Sequence, residues 1–477
     1  MNFMRFFHRR TLLVTIASLL FIASCSVTKK FKKPKVETNK LYEHDVKLDS
    51  TSLADMPWQE LFSDPHLRDL IHEAMQNNPD LQIAIQQIKE AEANLYQSKM
   101  SFIPSLSANG DVSYNEPSDN SSSFGRNGGS IKANEQYSIS LSSSWEADIW
   151  GKLSSTKRAA YAQLLQSQAV RRAVQTTLIA DVANSYYNLM ALDAKLRITQ
   201  QTVQNRKQDV ETMKQLKQSA QVTGAAVVQS MANRYNAEVT IPDLKQQIKE
   251  QENALSILLG RAPGRIERSE LNAQSIPDTL QVGVPAQLLR NRPDIIAAEN
   301  SFRAAFETTN NARTYFYPSL TITAQGGFSS LDFNDLLKPG SIFANIIGGL
   351  TEPIFSQGRN KARLKTAKAR QQESLIDYKN TVRNAGREVS DALSSYQHAE
   401  EKISLREQQI DALEKSVSYS KDLLNYGKAT YTDVLTSQQN LLAAQLSRVN
   451  DKLQQLTSVV SLYRSLGGGW KKSLSGN

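Results

Sequence analysis

The sequence predicts an α+β protein made of two like halves, each a pair of strands joined to a long helical hairpin. Three observations predict it: an internal duplication, segments of strand length with period two, and a seven-residue apolar repeat. The duplication is the plainest. Asn78-Pro79-Asp80 recurs as Arg292-Pro293-Asp294, and Phe102-Ile103-Pro104-Ser105-Leu106 recurs as Phe316-Tyr317-Pro318-Ser319-Leu320, both 214 residues apart. A Gly-basic step follows in each half (Gly151-Lys152, Gly358-Arg359), and each half closes on Leu-Gly, at Leu259-Gly260 and Leu466-Gly467. A repeat this long is a duplicated domain-sized element and not a solenoid unit. The halves span 58–264 and 291–469, with a linker at 265–290 and a tail at 470–477.

Residues 1–24 read as a secretory signal: Arg5, His8, Arg9 and Arg10 precede an apolar core at 12–22 that is too short to span a membrane. It ends in Ile22-Ala23-Ser24-Cys25, and Cys25 is the chain's only cysteine, so no internal disulfide can form. A cysteine here, behind small residues, resembles the bacterial lipobox, whose cysteine is lipidated and becomes residue one. Ser26 stands where an aspartate would direct retention at the inner membrane, so the resemblance points to the outer membrane. Residues 25–57 then read as a lipidated tether. The net charge of +9 falls to +6 without the signal, and its basic residues are interleaved with acids, which excludes a nucleic-acid footprint.

The strand pairs lie within 104–145 and 318–350. At 106–114, Leu106, Ala108, Gly110, Val112 and Tyr114 alternate with Ser107, Asn109, Asp111 and Ser113. Similar alternation marks 137–145 and 320–328, whereas Phe343 and Ile347 interrupt it at 342–350. One apolar and one hydroxyl or amide face suits an outer-membrane strand, and equally a small sheet with one wet face. The polar linkers at 116–132 and 329–340 suit exposed loops. Four strands cannot close a barrel, so if they span a membrane several chains must share one; three copies would supply twelve.

The helical hairpins occupy 151–259 and 357–465. Leu375, Val382, Val389, Tyr396, Ile403, Ile410, Val417 and Leu424 fall seven apart, with Ala385, Ala392 and Ala399 at companion positions. Val182, Leu189, Leu196, Val203 and Val210 do the same in the first half, and Leu435, Leu442, Val449, Leu456 and Tyr463 in the last helix. A strict seven-residue period implies left-handed supercoiled packing over helices roughly 100 Å long. Gly224 and Gly427 read as the turn glycines, and Pro242 should kink or locally unwind the first returning helix. Polar residues such as Gln200, Gln204, Gln208 and Gln215 lie between the heptad positions, and either bulk water or a water-filled tube accounts for them.

Lipobox, duplication, paired strands and long hairpins together resemble the outer membrane factor family, the exit ducts of tripartite efflux and type I secretion systems. The resemblance runs from Trp58 (Pro57-Trp58-Gln59-Glu60-Leu61-Phe62, then Asp64-Pro65) to about Gly469. Further stretches carrying it are Asn291-Arg292-Pro293-Asp294-Ile295, Tyr317-Pro318-Ser319-Leu320 and Tyr426-Gly427-Lys428-Ala429-Thr430-Tyr431-Thr432-Asp433. It implies a homotrimer, with a twelve-stranded barrel continuing into a twelve-helix periplasmic tunnel and an equatorial domain that takes in 265–290. It also implies a lipid-anchored place in a Gram-negative outer membrane and passive conduction without a cofactor. The partners it implies are a periplasmic adaptor, touching turns that include Gly224, Gly427 and Thr430, and an inner-membrane transporter, with the RND type expected. Asp433 matches the acid that rings the tunnel's closed end, though a helix-start carboxylate explains it as well. Two departures stand out: Thr436 replaces a second acid, and the first turn, Gly224-Ala225-Ala226-Val227-Val228-Gln229-Ser230, lacks the hydroxyl-then-acid pattern.

Two other classes fit less of the chain. An enzyme would need a constellation, but the five histidines show no metal spacing and no phosphate loop is present. A periplasmic coiled-coil lipoprotein, adaptor or tether, would account for the hairpins and the lipobox without the strands.

Overall fold

The computed structural model describes residues 27–37, 41, 52–116, 134–276 and 282–471. The signal, Cys25 and Ser26, most of the first strand linker and residues 472–477 lie outside them. The chain is mostly helical with one small sheet, and it divides into two compact units. One comprises the chain up to Pro34 with 89–166 and 299–376; the other comprises 35–88, 167–298 and 377–477.

The elements follow the duplication. The first half runs through α1 (Pro65–Asn77), α2 (Pro79–Met100), β1 (Ser105–Asn115), β2 (Asn134–Ala147), α3 (Lys152–Gln218) and α4 (Gly224–Leu258). The second half runs through α5 (Pro293–Thr314), β3 (Ser319–Ser330), β4 (Ile342–Thr351), α6 (Arg359–Asn425) and α7 (Tyr431–Ser465). Both outgoing helices are 67 residues long and both returning helices 35. No helix among the described residues is long and apolar enough to cross a membrane.

In the first unit the four strands form one antiparallel sheet in the order β1-β2-β3-β4. The register resolves the irregular fourth strand. Ile342, Ala344, Ile346, Gly348 and Leu350 pair with Phe328, Gly326, Ala324, Ile322 and Leu320, which continues one apolar face across the sheet. Phe343 and Ile347 fall on the opposite, hydroxyl-rich face, where Ser107 Oγ lies 2.7 Å from Ser142 Oγ and Gln325 Nε2 donates to Ser140 Oγ at 3.0 Å. Leu106, Val112, Ile346 and Leu350 on the apolar face are each about 70% exposed in the single chain.

The second unit holds the main core. The predicted heptad residues supply it: Val182, Leu189, Val382, Val389, Leu456 and Tyr463 are buried with Ala385 and Ala392. Each such aliphatic side chain contributes about 1.5–3 kcal/mol by leaving water. Gln200, Gln204, Gln208 and Gln215 are exposed, as their positions between the heptad residues require. The stretch read as the end of the tether is part of this core. Leu53 and Ala54 are buried, Ser52 bridges to Val282, and Trp58 meets His72 edge-on. Asp64 N-caps α1 through Oδ1, while its Oδ2 accepts from Tyr186 Oη at 2.7 Å and Gln274 Nε2 at 2.8 Å. The residues at 265–290 join the same core through Ile266, Leu271 and Leu288.

The two halves dock their returning helices in the same way. Asn78 Nδ2 donates to Leu258 O at the end of α4, and Arg292 Nη1 donates to Ser465 O at the end of α7. Two residues beyond each of those carbonyls a glycine with positive φ ends the turn, Gly260 at 71° and Gly467 at 88°. A Cβ on Gly260 would lie 2.3 Å from Asn77 O, and one on Gly467 2.6 Å from Asn291 O. The repeated Leu-Gly and X-Pro-Asp motifs are therefore the two sides of one contact, made twice.

The helix α4 continues through Pro242, so the local unwinding expected there does not occur. Gly386 faces the N-terminal segment: a Cβ there would lie 2.3 Å from Leu41 O, so its bare backbone makes room for that segment.

Candidate functional site: the paired helix turns

Both hairpin turns belong to the second unit, and their backbones match. After α6, Gly427 adopts φ 68°, and bonds run from Gly427 N to Leu424 O and from Lys428 N to Leu423 O. After α3 the same bonds run from Ala220 N to Lys217 O and from Gln221 N to Leu216 O, and Ala220 takes the left-handed place with φ 55°. Gly224 is therefore not the left-handed turn residue; it is the first residue of α4, behind its N-cap Thr223. The sequence misled because the one glycine near the turn lies four residues past the position that calls for one. Ala220→Gly should stabilise the protein by about 1 kcal/mol, read as a higher denaturant midpoint, since alanine carries a steric cost there that glycine does not.

The corrected alignment also locates the difference between the turns. Thr223 matches Thr430 as the N-capping hydroxyl, so the first turn does have the hydroxyl; it lacks the acid, having Ala226 where the second has Asp433. At the second turn Thr430 N and Thr430 Oγ1 donate to Asp433 Oδ2 at 2.8 and 2.7 Å, and Asp433 N donates to Thr430 Oγ1 at 3.4 Å. This capping box satisfies two otherwise free helix-start groups. The bonds from the Thr430 hydroxyl and backbone N–H hold the Asp433 carboxyl below the usual carboxylate range. Its support of the helix start is complete above that ordinary range and is lost as pH falls through the depressed value.

The turns pack on each other through Met213, Val227, Tyr431 and Leu435. A groove of about 810 Å³ runs between them, with Thr223, Gln229, Tyr426, Gly427 and Thr430 among its lining residues. Farther along, Asp209 of α3 accepts from Gln438 Nε2 of α7 at 2.9 Å and pairs with Lys421 of α6 at 3.4 Å. Sequence reading missed this link between the hairpins, because its partners lie more than two hundred residues apart and none sits in a recognisable motif. Thr430 and Asp433 are thus in direct contact, Gly427 lines the groove, and Gly224 begins the opposite helix. Among the described residues no group of His, Cys, Asp and Glu is placed to hold a metal ion.

Comparison with known proteins agrees with this architecture. A family model described as outer membrane efflux protein matches residues 70–261 and again 284–468, one match for each half. The chain is 28% identical over 464 residues to a probable outer membrane lipoprotein, SilC, of Salmonella typhimurium, covering 96% of this chain and 98% of that protein. It is 29% identical over 462 residues to the cation efflux system protein CusC of Escherichia coli O6:H1, covering 95% and 97%. The open-state structure of the MtrE outer membrane channel of Neisseria gonorrhoeae superposes with a TM-score of 0.82 at 26% identity, over 94% of this chain and 99% of that one. The match takes in strands and both hairpins, so the coiled-coil adaptor reading falls away. The chain belongs to the outer membrane efflux protein family and is the outer membrane component of an efflux system.

Proposed function

We propose that three copies of the chain close a twelve-stranded barrel in the outer membrane and continue it as a twelve-helix periplasmic tunnel. The observation that carries this is the four-stranded sheet with β1 and β4 as open edges and a continuous, exposed apolar face. An open edge and an apolar face are both costly in water, whereas a closed barrel in lipid removes both costs. Cys25 then carries the covalent lipid beside the barrel, and no cofactor takes part. The duct conducts passively; an inner-membrane transporter of the RND type supplies the energy, and a periplasmic adaptor engages the turns around Gly224, Gly427 and Thr430.

Asp433 forms the gate constriction in this reading. Three symmetry-related carboxylates would attract cations and bind divalent ions, as acid rings do in cation channels. Their mutual repulsion works against the lowering that the capping box produces in one chain. In planar bilayers Asp433→Ala should reduce cation selectivity and weaken block by multivalent cations. Asp391→Ala, which removes a carboxylate well inside α6, should change them much less. Equal effects would leave Asp433 with its capping role alone.

A further inference from the structure

The segment just after the expected lipidation position is docked on α5, and it presents exposed lysines that pair with no acid among the described residues. Within the first unit, Asn310 holds its backbone from both sides: Lys29 N donates to Asn310 Oδ1 at 3.0 Å, and Asn310 Nδ2 donates to Lys29 O at 2.9 Å. Phe31 packs on α5 with ring centroids 5.6 Å from Phe302 and 5.5 Å from Phe306, and Lys33 Nζ pairs with Glu299 at 2.6 Å. Residues 29–37 have no helical structure. Phe31 is half-buried against α5, whereas Lys30 and Lys32 on either side of it are exposed. Neither lysine forms an ion pair with another described residue.

The place of this strap identifies what those lysines meet. A Cβ on Gly151 would lie 3.2 Å from Thr28 Cγ2, so the strap begins against the step where β2 hands over to α3. Beside that step Trp150 Nε1 donates to Pro318 O at 2.8 Å and its ring packs at a tilt against Tyr317, with centroids 5.1 Å apart. Tryptophan and tyrosine at strand ends mark the level of lipid headgroups. Cys25 is three residues before Thr28, so the anchor can reach no more than roughly 11 Å from it. The strap site is also special to the second half. At the positions 214 residues earlier, α2 carries Ile85, Ile88, Glu92 and Tyr96 in place of Glu299, Phe302, Phe306 and Asn310.

We propose that the strap is an anionic-lipid contact: docked on α5, it holds Lys30 and Lys32 against the phosphate headgroups of the leaflet that carries the anchor. This rests on the reading of the strands as a membrane barrel. Two exposed cations at headgroup depth, with no acid among the described residues paired to them, would be met by anionic phospholipid.

The test uses native mass spectrometry of the detergent-purified, full-length protein, titrated with dioleoyl phosphatidylglycerol or dioleoyl phosphatidylcholine. A lysine near an anionic surface contributes roughly fivefold in affinity. The Lys30→Gln/Lys32→Gln double variant should therefore lower the preference for phosphatidylglycerol by about tenfold or more. Lys338→Gln, in the β3–β4 loop, should leave it unchanged. A wild type without the preference, or a double variant that keeps it, would overturn the proposal. So would a double variant that keeps the preference but loses its oligomer, because its lysines would then serve a second copy. Bilayer conductance is recorded in parallel. Channels without the lipid preference sink the strap contact alone, and the absence of channels in the wild type sinks the barrel reading and the strap contact with it.

Discussion

Gly467→Ala is expected to destabilise the protein by roughly 3 kcal/mol or more, among the larger effects of any single substitution. Two costs add. The left-handed backbone at φ 88° disfavours alanine by about 1–2 kcal/mol. In addition, the new Cβ would lie 2.6 Å from Asn291 O, a backbone atom that cannot move aside without lifting α7 off the start of α5. Gly260→Ala should behave alike, since its Cβ would lie 2.3 Å from Asn77 O. Gly427→Ala separates the two costs: its φ is 68°, but nothing lies within 4 Å of the added atom, so only about 1 kcal/mol should be lost. Helix loss followed by circular dichroism in denaturant measures all three. Equal losses at Gly427 and Gly467 would mean that the docking contact contributes nothing.

Arg292→Ala should cost about 2–3 kcal/mol by the same assay, because the Ser465 carbonyl loses a buried charged donor while the half-exposed carboxylates left behind regain water. The guanidinium is 8% exposed and serves three groups: Asp294 Oδ2 at 2.6 Å, Glu388 Oε2 at 2.8 Å and Ser465 O at 2.9 Å. Burial works against its charge, but the bonds and attraction of Asp294 and Glu388 outweigh that and raise its pKa. Arg292→Asn installs the residue that does this work in the first half, where Asn78 caps Leu258 O without an ion pair. It should recover the cap and leave Glu388 unpaired, giving a loss between wild type and alanine. An asparagine variant as unstable as alanine would mean that the carbonyl cap carries little of the contact.

What could be read from the sequence was whatever is periodic or repeated. Heptad spacing identified the buried Val182, Leu189, Val382 and Val389, and alternation identified all four strands to within three residues at their ends. The Leu-Gly and X-Pro-Asp motifs announced a duplication, but nothing local in them says that they touch each other. Contacts made once and across long separations were not legible. Asp209 with Lys421, Gly386 against Leu41, and Phe31 on α5 each join residues in different segments without a pattern. The first turn was misread for a related reason. A glycine is a usual sign of left-handed backbone, yet here Ala220 adopts it while Gly224 begins a helix. That error hid the match of Thr223 to Thr430 and made the missing acid look like a missing motif. Phe343 and Ile347 show the limit of alternation: their face is set by pairing with β3, which the strand's own residues do not encode.

If one chain's sheet is a third of a barrel, the mass of the detergent-solubilised protein must show three copies. Multi-angle light scattering with the detergent contribution subtracted should give three times the mass of one chain, whose 477 residues amount to 53.2 kDa before any loss of the expected signal. The trimer should persist at dilution, because separation would expose β1 and β4 as open edges. A stable, folded monomer, or a dimer whose eight strands are paired, would contradict the account.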